Sequence, residues 1–315
     1  MERLSQDAEE TRSGLTGPPA LLARGLTKSY GSTVGVSGVD LEVRQGERFG
    51  FLGPNGAGKT TFIRLALGLL RPSQGRVEVM GLDMARDRLT ATEQVGYLPG
   101  ELGLIGNVSG LLTLDTLAAL HPRPPERRAE LLDVLELSRD DLDRHVREYS
   151  RGMKQKLGLV AALQHDPPLM ILDEPTGGLD PVVQDRLIEW LRARCAAGRT
   201  LFFSSHILSE VEQLCQRVGM IRGGELVKVL DVHAVRRSGG RVVTVIFRRN
   251  VSPDEYRVPQ LSGQVGAGTD HRFVIHGDPG PLLERLSTLP VEDITIEPPR
   301  LEDLFRTTYT GESEE

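Results

Sequence analysis

The sequence predicts an α/β fold for most of the chain, followed by a small α+β domain. From Leu21 to about Leu230, short apolar runs alternate with amphipathic stretches, which is typical of strands that alternate with helices. Three of the apolar runs are nearly continuous, as expected of parallel strands buried on both faces. A length of 315 residues corresponds to about two domains and is ample for a buried core.

The composition excludes several classes of protein. The chain has 38 Lys and Arg against 44 Asp and Glu, a net charge of −6. This charge excludes a protein that binds nucleic acid mainly through contacts with the phosphates. Cys195 and Cys215 form neither a disulfide framework nor a zinc spacing, which fits a reducing compartment. The first residues lack the apolar stretch of a signal peptide, and the apolar runs are too short to span a bilayer. We therefore expect any membrane role to require a partner chain.

Composition along the chain divides it into three parts. Residues 1–19 are polar and predict a disordered tail, residues 20–230 the α/β domain, and residues 231–315 an accessory domain. Within the second part, residues 100–165 have mostly helical periodicity.

The accessory domain has its own strand and helix signals. It follows a shift in composition through Arg236–Gly240. We expect strands at Arg241–Phe247 and Arg272–Ile275 and a helix that Asp278 caps. The helix carries Leu282, Leu286 and Leu289, and a last helix after Pro299 carries Leu301, Leu304 and Phe305.

A glycine-rich segment follows the apolar run Arg48–Leu52. It reads Gly53-Pro54-Asn55-Gly56-Ala57-Gly58-Lys59-Thr60, the G-x-x-x-x-G-K-[ST] spacing, between a strand and a helical pattern. Glycines there let successive N–H groups face a polyphosphate, and the next helix adds its positive end. In this phosphate loop, Lys59 suits the β- and γ-phosphates, Thr60 suits Mg²⁺, and Thr61 adds a phosphate hydrogen bond. The alternative is a plain glycine-rich turn.

Two acidic residues end the apolar run that starts at Leu169. Asp173 suits a ligand of Mg²⁺, and Glu174 directly after it suits a base for an attacking water. An acidic turn after a buried strand is the alternative. A third run, Thr200–Phe203, ends in Ser204-Ser205-His206. Because ligands bind at the carboxyl ends of such strands, we expect the three polar ends to converge.

The order of these motifs resembles one family. Tyr149-Ser150-Arg151-Gly152-Met153 precedes the acidic strand and resembles the LSGGQ signature of ABC-transporter ATPases. The phosphate loop, helical insert, signature, acidic strand, Gly177–Asp180 and a histidine after a strand follow the order of that family over about residues 21–230. The resemblance implies an ABC-type P-loop ATPase core with a helical subdomain.

The resemblance also implies roles for single residues. Tyr30 would stack on adenine, and His206 would contact the γ-phosphate. Ser150 and Gly152 would meet the γ-phosphate on a second subunit, where the N-terminus of a helix favours an anion. Asp180 would link the two sites across the dimer. The alternative is that these residues have only structural roles. Tyr30 would then be a tyrosine at the end of a strand, His206 a structural histidine, and Ser150 and Asp180 helix caps.

Two segments depart from the family pattern. The signature has Arg151 in place of glycine and Met153 in place of glutamine, although Ser150 and Gly152 remain. In Val95–Glu101 the expected glutamine is replaced by Gly100, and Glu101 is the neighbouring residue that would substitute for it.

The resemblance implies the ATP-hydrolysing subunit of a two-component ABC transporter. It would bind ATP and Mg²⁺, dimerise around two ATP molecules and drive a separate multi-span permease from the cytoplasmic face of the membrane. The tail Ile296–Phe305 is similar to that of ATPases for drug, lipid or polysaccharide export. The alternatives are an importer ATPase, whose C-terminal part usually forms small barrels, and a soluble ABC switch on DNA or ribosomes. No nucleic-acid partner is expected.

Overall fold

The computed structural model describes residues 18–31, 33–232, 234 and 240–297. The chain divides into two units, Met1–Val229 and Leu230–Glu315. Most of the predicted tail, most of the composition shift at Arg236–Gly240 and the last predicted helix lie outside the described residues.

The first unit is built on a six-stranded sheet in the order β10-β9-β3-β8-β7-β6. Strands β9, β3, β8, β7 and β6 run parallel, and β7 and β8 are buried along their whole length. The three apolar runs of the sequence are the neighbours β3, β8 and β7, which confirms the α/β prediction. The strands are β3 (Arg48–Leu52), β6 (Val95–Leu98), β7 (Leu169–Asp173), β8 (Thr200–Ser205), β9 (Arg217–Arg222) and β10 (Glu225–Asp231).

A second, antiparallel sheet of the first unit has the order β2-β1-β4-β5. Its apolar residues share one core with the six-stranded sheet and the first helix, so the helix after the phosphate loop is packed between the sheets. Burial of this core supplies most of the driving force for folding. The strands are β1 (Leu21–Tyr30), β2 (Thr33–Val43), β4 (Gln74–Val79) and β5 (Leu82–Asp83).

Eight helices complete the described part of the first unit. Four of them are capped by a side-chain oxygen that accepts a main-chain N–H of the first turn, as expected of serine and aspartate. The capping residues are Ser109, Ser138, Ser150 and Asp180. Among the described residues, no helix is both long and apolar enough to cross a membrane. The helices are α1 (Lys59–Ala66), α2 (Arg88–Thr92), α3 (Gly110–Ala119), α4 (Arg128–Val134), α5 (Arg139–Asp143), α6 (Arg151–Leu163), α7 (Pro181–Ala196) and α8 (Leu208–Leu214).

The second unit contains an antiparallel sheet in the order β12-β13-β11-β14. Leu282 and Leu286 of its helix pack into a separate apolar core. Asp278 is not the helix cap, because its carboxylate instead accepts the N–H of Gly280 at 2.9 Å and the helix starts after Pro279. The elements are β11 (Gly240–Phe247), β12 (Leu261–Ala267), β13 (Asp270–His276), α9 (Gly280–Leu286) and β14 (Val291–Glu297).

Two histidine rings lie against each other, tilted by 32°, just after the ends of α3 and α6 in the first unit. The ring centroids of His121 and His165 are 3.7 Å apart. The Nδ1 atom of His121 accepts the N–H of Arg123 at 3.1 Å, and the Nε2 atoms of both rings are buried without a hydrogen-bond partner in the described part of the chain. Burial, followed by the neighbouring His121, lowers the pKa of His165 to about 4.

The low pKa of His165 predicts a pH-dependent stability. Between the ordinary pKa of 6.5 and about 4, the unfolded chain binds a proton that the folded chain does not. The stabilisation is therefore complete above pH 6.5 and is lost as the pH falls towards about 4, by about 2 kcal/mol after allowance for solvent screening. Denaturant unfolding at several pH values should show a smaller acid loss for His165→Gln. The matched change at exposed His145, His145→Gln, should leave the loss unchanged.

Candidate nucleotide site

The phosphate loop lies between the end of β3 and the start of α1. Gly58 takes φ +107° before the helix, and a Cβ there would lie 2.5 Å from the carbonyl oxygen of Gly35, so only glycine fits. The Lys59 ammonium is 6% exposed and donates to the carbonyl oxygens of Gly53 at 2.7 Å and Pro54 at 3.3 Å. The loop therefore curls around the Lys59 ammonium, a concave shape that suits a bound phosphate.

Tyr30 lies beside this loop at the end of β1. A Cβ built on Gly35 would be 3.0 Å from Cε2 of Tyr30 and 3.1 Å from Cγ2 of Thr61. The Tyr30 ring is 47% exposed, with the Lys28 ammonium 5.4 Å from its centroid. An exposed aromatic ring next to a phosphate loop offers a face on which a base can stack.

Asp173 ends β7 with both carboxylate oxygens in use. The Thr60 hydroxyl donates to its Oδ2 at 2.9 Å, and the Ser204 hydroxyl donates to its Oδ1. Asp173 and Ser204 face each other in the β7–β8 register and are 1% and 0% exposed. A hydroxyl and a carboxylate oxygen side by side are hard ligands of the kind Mg²⁺ prefers, so the residues present fit this ion.

Glu174 contacts side chains that follow two other strands, the Lys59 ammonium after β3 and the His206 ring after β8. Its Oε1 lies 3.4 Å from the Lys59 Nζ and 3.2 Å from the His206 Nδ1. Glu174 has a φ of +51°, a left-handed conformation that a non-glycine residue adopts at a cost and that is often found at functional sites. Its side chain is 35% exposed. The arrangement puts a solvent-reachable carboxylate where it can accept a proton from water.

The signature residues at the start of α6 lie next to the loop that precedes α7. A Cβ on Gly152 would lie 2.5 Å from the carbonyl oxygen of Gly178, so α6 starts against the loop before α7. Ser150 accepts the N–H of Met153, and Asp180 accepts that of Val183. Within the described residues, the hydrogen bonds and ion pairs of Ser150, Gly152 and Asp180 do not reach the phosphate loop.

Sequence reasoning missed two residues of the site. Ser204 was visible only as part of a polar strand end, and no pattern linked it to Asp173, 31 positions away. Gln155 of α6 donates from its Nε2 to the carbonyl oxygens of Glu174 at 3.3 Å and Pro175 at 2.9 Å. It ties the signature helix to the acidic loop, and no sequence signal points to it.

Comparison with known proteins identifies the family. The sequence model of the ABC transporter family matches residues 36–177. The chain is 31% identical to the daunorubicin resistance ATP-binding protein DrrA3 of Streptomyces coeruleorubidus over 304 residues, which are 91% of this chain and 94% of that protein. The chain belongs to the ABC transporter family of ATP-binding proteins.

Two further matches are consistent with membership of this family. The bacitracin transport ATP-binding protein BcrA of Bacillus licheniformis is 40% identical over 218 residues, 67% of this chain and 70% of that protein. A solved ATP-binding subunit of an ABC transporter superposes with a TM-score of 0.65 at 30% identity, over 70% of this chain and 92% of the other. As an ABC ATPase, the chain binds and hydrolyses ATP.

Proposed function

We propose that this ABC ATPase uses Mg²⁺-ATP to close a dimer and so drives a separate membrane permease for export. The observation that carries the proposal is the similarity to DrrA3 over 304 residues, which extends beyond the ATPase unit. The names of DrrA3 and BcrA assign these relatives to drug resistance and bacitracin transport. We assign the substrate to the drug, lipid or polysaccharide class, and these two names support the drug class within it.

The nucleotide is held by the phosphate loop in this proposal. The main-chain N–H groups of Gly53, Asn55, Gly56 and Gly58 face the phosphates, with Lys59 on the β- and γ-phosphates and Thr61 as a further donor. Pro54, which has no N–H, and Ala57, whose N–H donates to the Pro54 carbonyl oxygen at 3.1 Å, shape the turn that surrounds the nucleotide. Tyr30 stacks on the adenine. Thr60 and Asp173 hold Mg²⁺, which neutralises phosphate charge when bound. The 2.9 Å hydrogen bond between these two side chains supports a shared role.

Glu174 takes the proton of the attacking water, and His206 contacts the γ-phosphate. The support is the position of the Glu174 Oε1, 3.2 Å from His206 and 3.4 Å from Lys59. In the absence of nucleotide the carboxylate lies against the Lys59 ammonium and the His206 ring. When the γ-phosphate takes these two partners, the carboxylate is released towards water.

The signature residues act on the second copy in this proposal. Ser150 and Gly152 meet the γ-phosphate bound by the partner, and Asp180 links the two sites. Ser150 and Gly152 lie at the start of α6 and Asp180 at the start of α7. In the described residues none of their hydrogen bonds or ion pairs reaches the phosphate loop of the same copy, which supports a contact across an interface. Loss of the γ-phosphate removes the charge that bridges the copies, so ATP favours the closed state and hydrolysis the open one.

The export proposal requires a separate multi-span permease in the membrane, which this ATPase binds at the cytoplasmic face. The test is purification of Glu174→Gln protein with ATP from detergent-solubilised native membranes, with protein identification by mass spectrometry. A stoichiometric multi-span protein is expected. Recovery with ribosomes or DNA, or without a membrane partner, would contradict the transport proposal and favour an ABC switch.

A further inference from the structure

Glu210 is a buried carboxylate that the mechanism proposed above does not use. It lies in the first turn of α8 and is 8% exposed. Its Oε1 accepts a hydrogen bond from the Thr176 hydroxyl at 2.7 Å, and its Oε2 accepts one from the Ser205 hydroxyl at 2.7 Å. Burial of a carboxylate costs free energy unless donors satisfy its oxygens. Here each oxygen has its own hydroxyl donor.

The two donors belong to the segments that carry the proposed base and the histidine. Thr176 lies two residues after Glu174, within a turn whose closing hydrogen bond is accepted by the Glu174 carbonyl oxygen at 3.3 Å. Ser205 is the last residue of β8 and immediately precedes His206. One carboxylate therefore joins two segments that are distant in the chain, and each segment carries a residue of the proposed reaction.

The Ser205 hydroxyl has a definite direction in this network. An ionised carboxylate only accepts hydrogen bonds, so the Ser205 proton points to Glu210 at 2.7 Å and not to the Ile207 carbonyl oxygen at 3.4 Å. The same Ser205 oxygen accepts the main-chain N–H of Ile207 at 2.9 Å. The side chain of Ser205 thus spans the main chain around His206, and Glu210 holds that side chain in place.

Other contacts fix the loop after Glu174 to neighbouring helices. Gln184 of α7 donates from its Nε2 to the Thr176 carbonyl oxygen at 3.2 Å, and Gln155 of α6 donates to the carbonyl oxygens of the two preceding residues. These amides bind only the main chain of the loop. The Thr176 hydroxyl is left for Glu210, which connects the same loop to α8 and to the end of β8.

We infer that Glu210 is a positioning residue that sets the place of His206 relative to Glu174. The Glu174 Oε1 lies 3.2 Å from the His206 Nδ1, and the segments of both residues converge on the Glu210 carboxylate. The inference rests on the proposed roles of Glu174 as base and His206 as a contact of the γ-phosphate. A displacement of about 1 Å between groups that react together can cost about 100-fold in rate. Glu210 acts through its two hydroxyl donors and not on the nucleotide itself.

A matched pair of changes at Thr176 tests the link in the full-length chain. Valine keeps the shape of threonine without the hydroxyl, whereas serine keeps the hydroxyl. Thr176→Val should lower kcat for ATP hydrolysis by about tenfold or more, and Thr176→Ser should stay within about twofold of the wild type. The Kd for ATP should be unchanged in both, because neither change touches the phosphate loop. Equal kcat values in the two variants would overturn the inference.

Glu210→Gln and Ser205→Ala test the other two members of the link. Glutamine keeps the shape of glutamate but offers one acceptor oxygen in place of two, so the two hydroxyls no longer have an oxygen each. Both variants should lower kcat by about tenfold or more. Combination of Ser205→Ala with Thr176→Val should be at most about twofold slower than the slower single variant, because either change breaks the same link. Losses that multiply in the combined variant would overturn the inference.

Two controls separate this role from general loss of stability. Ser209→Ala removes an exposed hydroxyl from the same helix, and Asp166→Asn breaks buried ion pairs with Arg194 and Arg199. Both should keep kcat within about twofold of the wild type. A kcat in Asp166→Asn as low as that of Glu210→Gln would show that destabilisation accounts for the effect and would overturn the inference.

His206→Ala separates the inference from the proposed function on which it rests. This variant should lose most ATP turnover. Full turnover in His206→Ala would refute the proposed role of His206 and the inference with it. Slow turnover in His206→Ala together with normal turnover in Glu210→Gln and Thr176→Val would refute the inference alone.

Discussion

Replacement of Glu174 by Gln is expected to lower the ATP turnover number by about 10²- to 10⁴-fold, the usual contribution of a general base. The amide keeps the shape of the side chain beside His206 and Lys59, 3.2 Å and 3.4 Å from the present Oε1, but cannot take a proton from water. ATP binding should persist, because the phosphate loop is untouched. The measurement is steady-state phosphate release together with equilibrium ATP binding.

The same variant should accumulate an ATP-dependent dimer, detectable by size-exclusion chromatography with ATP. Lys59→Ala should give the opposite pattern, with loss of ATP affinity, because it removes the buried cation of the phosphate loop. Glu136→Gln changes an exposed acid that pairs with Arg186 at 2.8 Å and should leave turnover unchanged. Retention of most activity in Glu174→Gln would refute the assignment of the base.

Asp166→Asn is expected to lower the free energy of unfolding by about 3 kcal/mol, the cost of breaking the ion pairs of a buried carboxylate. Asp166 is 6% exposed and lies between three arginines. Arg194 donates to both its oxygens, at 3.0 Å and 2.7 Å, Arg199 donates at 2.6 Å, and Arg127 lies 4.0 Å away. The carboxylate thus joins α7, the turn before β8 and the start of α4.

Asparagine is the informative replacement, because Asp166 has a φ of +52° and asparagine tolerates that conformation. Burial raises the pKa of Asp166, but the hydrogen bonds from Arg199 and Arg194 outweigh it and lower the pKa below the usual 3.8. The stabilisation is therefore present above that value and is lost as the pH falls through the lowered pKa.

Chemical denaturation at pH 7 checks the effect of Asp166→Asn. Asp143→Asn removes a carboxylate that is 60% exposed and pairs with Arg139, and it should cost less than about 0.5 kcal/mol. Equal losses in the two variants would show that burial of Asp166 adds nothing to its ion pairs.

The sequence predicted those parts of the site whose chemistry depends on residues that are close together in the chain. The phosphate loop needs glycines at fixed positions, and Gly56 and Gly58 indeed have positive φ angles. Asp173 and Glu174 were predicted from the strand that they follow. Convergence of these strand ends followed from parallel pairing, and the hydrogen bond from Thr60 to Asp173 spans 113 positions. The helix cap at Asp278 was wrong, since several turn types share aspartate.

Contacts between segments that are distant in the chain could not be predicted from the sequence. The hydroxyl of Ser204 on Asp173, the amide of Gln155 on Glu174 and the three arginines on Asp166 leave no periodic trace. Each depends on which strands and helices become neighbours. A single polar residue in an apolar stretch has many possible partners, and packing alone selects one of them.

The amino-acid sequence by itself determined the α/β fold, the phosphate loop, the acidic strand end and the ATPase family, because local backbone demands and strand burial fix those residue types. Only the tertiary structure decided that Ser204 donates to Asp173, that Glu174 pairs with Lys59 and His206, and that Asp166 pairs with three arginines. Those arrangements depend on the distances between helices and strands, and the packing of the whole core sets these distances.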